Sequence, residues 1–137
     1  MKFKVGDSAH YSQTIGEAQI AQFIGAVGDT NPLHVDAEYA KQTRFGARIA
    51  QGILVAGLIS TAIGTKLPGT GAIYLGQSLK FLKPTYLGDT ITATVTVKAI
   101  RADKPILTLE TVCTNQRGER VLEGEASVLY EGPEEDV

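Results

Sequence analysis

Residues 52–64 read Gly-Ile-Leu-Val-Ala-Gly-Leu-Ile-Ser-Thr-Ala-Ile-Gly. The run is apolar on every side of a helical projection, so a helix here is expected to be a buried one, enclosed by the rest of the domain. Small residues at Ala56, Gly57 and Ala62 would let neighbouring backbone approach it closely. The material to enclose it follows in the chain. From Thr90 to Lys98, Ile91, Ala93, Val95 and Val97 alternate with Thr92, Thr94, Thr96 and Lys98, the period of a sheet with one buried face. Leu107, Leu109, Thr111 and Cys113 mark one face of the next strand, after a turn at Ala102–Pro105. Beyond an Asn115–Gly118 turn, Leu122, Gly124, Ala126, Val128 and Tyr130 share a face of the last. These three strands are expected to form an antiparallel meander. Ahead of the apolar run, residues 8–15 alternate loosely as a strand, and Thr14–Glu17 reads as a helix boundary. Ile20, Phe23, Ile24 and Val27 then fall at the spacing of one buried helical face that ends at Gly28. The whole is α+β: a mostly antiparallel sheet curled around one helix.

A chain of 137 residues is long enough for one core and short for two. Residues 1–130 are read as a single domain and 131–137, with Pro133 and several acids, as a loose acidic tail. With 43% hydrophobic and 20% charged residues and a formal net charge of -2, the chain is not of a disordered or nucleic-acid-coating class. The single Cys113 has no disulfide partner and no nearby ligand set for zinc, and reads as a core thiol. Met1–Asp7 lacks the apolar run of a signal peptide, and no apolar stretch is long enough to span a bilayer. The expectation is therefore a cytoplasmic protein with no membrane or nucleic-acid partner.

The chemistry is expected at Val27–Ala40, Val-Gly-Asp-Thr-Asn-Pro-Leu-His-Val-Asp-Ala-Glu-Tyr-Ala. Pro32 pushes Asn31 out of the helical region and Gly28 permits a tight turn, so a bent loop should carry Asp29 and His34. Spacing leaves two readings open: an Asx-turn with an exposed ring, or a carboxylate and an imidazole that meet at one water as a general acid–base pair. Asp36 can cap a short helix through Tyr39, Ala40 and Thr43. Arg44 and Arg48 either belong to a solvated loop or suit phosphate recognition. Gln51–Gly52 offers free N–H groups at a helix start, where an oxyanion can be held, although Gly52 could merely relieve crowding. His10 lies outside any motif and carries no assigned role.

The run Gly28-Asp29-x-Asn31-Pro32-Leu33-His34, followed by five residues and Ala40, resembles the signature of the MaoC-like, hydratase 2 family of (R)-specific enoyl-CoA hydratases. The likeness extends over nearly the whole chain, through Ile49-Ala50-Gln51-Gly52 and the apolar helix to four strands, of which Tyr74–Phe81 is expected to be one. Within the family it is nearest to the small stand-alone hydratases that supply (R)-3-hydroxyacyl-CoA for polyhydroxyalkanoate synthesis. The resemblance implies a hot-dog fold and homodimers whose sheets join edge to edge. It implies Asp29 and His34 as the catalytic dyad, Gly52 as oxyanion donor through its N–H, Asn31 ordering the loop and Ser60 supporting the site by hydrogen bonding. A serine bonded to its own helix is an equal reading of Ser60. The resemblance also implies a CoA thioester as substrate and no cofactor. Gln51 departs from the pattern, since many members have His before the glycine. Dehydration on acyl carrier protein is the near alternative. A hot-dog thioesterase commonly carries an acid on the central helix, and residues 52–64 contain none; a non-enzymatic acyl-CoA-binding module would not need Asp29 and His34 together.

Overall fold

The alternation from Thr90 onward does what it implies. In the computed structural model, which describes residues 2–133, Ile91, Ala93, Val95 and Val97 are shut away from solvent while the threonines between them face outward. Six strands form one sheet: β1 (Ser8–Thr14), β2 (Ala72–Gln77), β3 (Lys80–Phe81), β4 (Thr90–Ile100), β5 (Ile106–Thr114) and β6 (Arg120–Tyr130). The order is β1-β4-β5-β6-β2, every pairing is antiparallel, and β3 joins β6 beyond the end of β2. The expected meander is β4-β5-β6, with Val95 opposite Thr111 and Leu109 opposite Ala126.

Among the described residues four helices accompany the sheet: α1 (Glu17–Val27), α2 (Pro32–Val35), α3 (Ala37–Lys41) and α4 (Gly52–Thr65). Helix α4 lies on the concave face against β4, β1 and β5. Its Val55, Ile59, Ala62 and Ile63 meet the inward residues of the sheet, Cys113 and Val128 among them, in one continuous core. A sheet wrapped around one long helix is the hot-dog fold. Among the described residues no helix is long and apolar enough to cross a membrane.

Three expectations need correction. Helix α4 is not enclosed on all sides: Ile53 is 57% exposed, and Gly57, Ser60 and Gly64 are exposed with it. A single sheet can cover only one side of a helix, and apolar character all round cannot say whether the second cover belongs to the same chain. Val27 is 60% exposed, although it shares the periodicity of the buried Ile20, because α1 packs through its first half and its last turn runs out past the core. The stretch Tyr74–Phe81 is two strands, not one. A register shift between Tyr74 and Gly76 and a break at Ser78–Leu79 hand the edge of β6 from β2 to β3. Residues 131–133 follow β6 without regular structure, and the remainder of the expected tail lies outside the described residues.

Candidate active site

Helix α1 stops at Gly28, whose left-handed backbone (φ 80°) lets its N–H donate to Ile24 O at 2.7 Å. A residue with a Cβ would be strained there. Asp29 is thus presented just past a helix end, its carboxylate accepting the Asn31 N–H at 3.3 Å. Asn31 then caps α2, its Oδ1 accepting the Leu33 N–H at 3.0 Å, and Pro32 occupies the first helical position where no N–H is required. The segment read as a bent loop is therefore a helical turn, and His34 rides on it; its N–H returns to Asn31 O at 2.9 Å. Asp36 closes the turn and caps α3, accepting from Glu38 and Tyr39 at 3.0 and 3.1 Å. That helix ends at Lys41, two residues short of Thr43.

His34 is 9% exposed, and its Nδ1 lies 2.7 Å from Ile49 O. A carbonyl only accepts, so Nδ1 carries the hydrogen and, in the neutral ring, Nε2 keeps its lone pair. The segment bearing Ile49 is itself anchored: Ala50 N–H donates to Thr85 O at 2.7 Å, and Ile49 bridges to Tyr86. It leads directly into α4. There the Val55 N–H closes the first turn on Gln51 O at 3.2 Å, so the N–H groups of Gly52, Ile53 and Leu54 precede the helix's own bonding pattern.

His34 and Gly52 line one cavity of about 350 Å³, together with Ile53, Val55, Phe81 and Leu122. The Phe81 ring lies flat enough against Gly52 that a Cβ there would come within 2.6 Å of Cε1. Glycine is thus required at the head of α4 while the ring stays in place. Asp29 does not line the cavity in the single chain; the Nε2 of Gln51, the residue before Gly52, donates a long bond, 3.5 Å, to the Asp29 backbone oxygen. Gln51 is 2% exposed, and among the described residues its Oε1 has no partner.

The remaining candidates separate. Arg44 lines the cavity and stacks over Phe45 at 4.6 Å. Arg48 points elsewhere: its Nε donates to His34 O at 2.8 Å and its outer nitrogens pair with the Glu17 carboxylate. That pairing holds Glu17 below the usual carboxylate range. Ser60 sits on the open face of α4, roughly 12 Å along the axis from Gly52. Among the described residues its side chain has no hydrogen bond. In the sequence alone Phe81 is a strand residue with no functional mark. No spacing rule connects it to a glycine on another element.

This is a hot-dog protein with an imidazole of defined tautomer and a free helix start facing one pocket. Residues 4–116 match the MaoC like domain, and the chain belongs to that family. It is 52% identical over 126 residues to an (R)-specific enoyl-CoA hydratase of Rhodospirillum rubrum, covering 92% of this chain and 87% of that protein. The (R)-specific enoyl-CoA hydratase of Aeromonas caviae is 46% identical over 125 residues, 91% of this chain and 93% of that one. A solved structure described as the A. caviae (R)-hydratase involved in PHA biosynthesis superposes with a TM-score of 0.91 at 45% identity, over 93% of this chain and 97% of that chain. A mitochondrial 3-hydroxyacyl-[acyl-carrier-protein] dehydratase of Solanum lycopersicum is 37% identical over 128 residues, 92% of this chain and 76% of that protein.

Proposed function

We propose that the protein adds water to trans-2-enoyl-CoA to give (R)-3-hydroxyacyl-CoA, and runs the reverse dehydration on the same residues. The observation that carries this is the His34 ring, its Nδ1 committed to Ile49 O and its body in the same cavity as the first N–H groups of α4. An enoyl thioester is electron-poor at C3, and negative charge grows on the thioester oxygen as water attacks. Gly52 N–H donates to that oxygen, and the positive end of the α4 dipole favours the same charge. Asp29 and His34 hold the water; His34 Nε2, the free lone pair, takes its proton as C3–O forms. The proton goes back to C2 from the same face. The face of C3 that the water meets sets the (R) configuration.

Arg44 at the cavity suits the phosphates of the nucleotide arm. Ser60, on the open face of α4, supports the site by hydrogen bonding. No cofactor takes part, since CoA arrives as part of the substrate. The working unit is a homodimer in the cytoplasm, joined along the free edge of β2. Ile73 and Leu75 are 44% and 52% exposed on that strand, which supports a partner there. Supply of precursors for polyhydroxyalkanoate is the physiological role that likeness to the A. caviae enzyme supports.

The test is purified protein with crotonyl-CoA, following loss of the conjugated enoyl absorbance and release of free thiol together. Absorbance loss without thiol, an (R) product, and a drop of ~10²- to 10⁴-fold in Asp29→Asn and His34→Ala are the expected results. Thiol release would move the reaction to thioester hydrolysis. The same chemistry on acyl carrier protein is the second reading, favoured by the likeness to the tomato dehydratase. Turnover of an acyl-carrier-protein substrate with silence on crotonyl-CoA would establish it.

A further inference from the structure

Arg48 and Ile49 touch the His34 turn at three places. Ile49 N–H donates to Leu33 O at 3.4 Å, Ile49 O accepts the His34 Nδ1–H at 2.7 Å, and Arg48 Nε donates to His34 O at 2.8 Å. The first two contacts need only backbone from residue 49. The third needs a side chain long enough to reach back, and its far end is held in turn by Glu17 in the first turn of α1.

From this we infer that Arg48 is a positioning residue for His34, braced by Glu17, and not a contact to substrate phosphate. Its planar fork meets a carbonyl with Nε and a carboxylate with its outer nitrogens at once, which the single ammonium of a lysine cannot reproduce. The Arg48 side chain is 18% exposed and is spent on partners within the chain, whereas Arg44 keeps its guanidinium at the cavity. Glu17 is 69% exposed, so the ion pair by itself adds little to stability. What the brace does is restrict α2, a one-turn helix too short to hold its own geometry. The turn carries the ring whose Nε2 must meet the attacking water.

The inference rests on the hydratase reading, and the experiment separates the two. Wild type, Arg48→Met, Arg48→Lys and Glu17→Gln are assayed with crotonyl-CoA and with crotonyl-N-acetylcysteamine, a thioester that lacks the nucleotide. Arg48→Met is expected to lower kcat by roughly 10- to 100-fold on both thioesters with KM unchanged, as for a displaced catalytic group. Glu17→Gln should move kcat in the same direction by less, and Arg48→Lys should recover part of the loss. An unchanged kcat with KM raised on crotonyl-CoA alone would make Arg48 a phosphate contact and overturn the assignment. Should Arg48→Met fail to fold, Glu17→Gln changes one exposed group and gives the same readout, with wild-type kcat counting against the brace. A wild type inactive on both thioesters would overturn the hydratase reading and the inference with it.

Discussion

A histidine whose Nδ1 faces a carbonyl has one neutral tautomer available, and that restriction leaves the imidazole in the pocket an acceptor with a defined direction. The neighbouring residues show how differently single side chains can be used. Cys113 is fully buried among aliphatic residues of the sheet, and burial pushes its thiol up to about 12 from an ordinary 9.0. The folded chain therefore keeps a proton that the unfolded chain gives up. Stability from this group is whole below the ordinary value and falls as pH rises between about 9 and about 12. A thiol reagent at neutral pH should accordingly label Cys113 in urea and leave the native protein unlabelled; rapid labelling without denaturant would contradict the burial. The Asn-Pro corner that carries Asp29 and His34 was legible from residue types; that His34 lines the cavity and Asp29 does not was left to the tertiary structure. The partners of Arg48 were not legible: two arginines in a loop look alike in a sequence, and which one turns to the cavity depends on Glu17, 31 positions away.

At the scale of elements, glycines mark where two segments share space that a side chain would need. A Cβ on Gly124 would lie 1.8 Å from the Ser78 carbonyl oxygen, the point at which β2 gives way to β3. Backbone is the obstacle, so Gly124→Ala should destabilise the protein by about 1–3 kcal/mol or more in chemical denaturation. An effect near zero would mean that the crossing is loose. Gly52 differs, because the obstacle is the end of the Phe81 side chain, which can swing away. Gly52→Ala should fold, and its cost should shrink in a Phe81→Ala background. A double-mutant cycle is expected to give a coupling of roughly 0.5–3 kcal/mol, and strict additivity would deny the contact. Alternation along β4, β5 and β6 was readable because a strand's period of two maps directly onto in and out. The split of Tyr74–Phe81 was not, since it lies where Ser78 packs against Gly124, on a strand more than forty residues later.

At the scale of the molecule, one side of the sheet and one side of α4 remain uncovered. Ile53, Ile73, Leu75, Phe81 and Leu82 are all exposed in the single chain. An edge strand with this much exposed apolar surface is a template for pairing with another chain. Light scattering during size exclusion should give the mass of two chains, and Leu75→Lys should shift it toward one while leaving the monomer's helix and strand content intact by circular dichroism. A wild type running as one chain at micromolar concentration would remove the dimer from the proposed mechanism.

What the sequence determined by itself is what depends on local chemistry. Apolar residues at a period of two make half-buried strands, a continuous apolar run makes a helix that must be covered, and Gly-Asp with Asn-Pro-Leu-His makes a capped corner carrying an acid and an imidazole. What only the tertiary structure decided is which distant groups complete those pieces: Ile49 as the carbonyl that selects the His34 tautomer, Arg48 braced on Glu17, Phe81 laid on Gly52, and a helix covered on one side alone. The physical reason is that a residue's own neighbours set its backbone, whereas its contacts are set by elements that fold up against it from elsewhere in the chain, and no periodicity records that meeting.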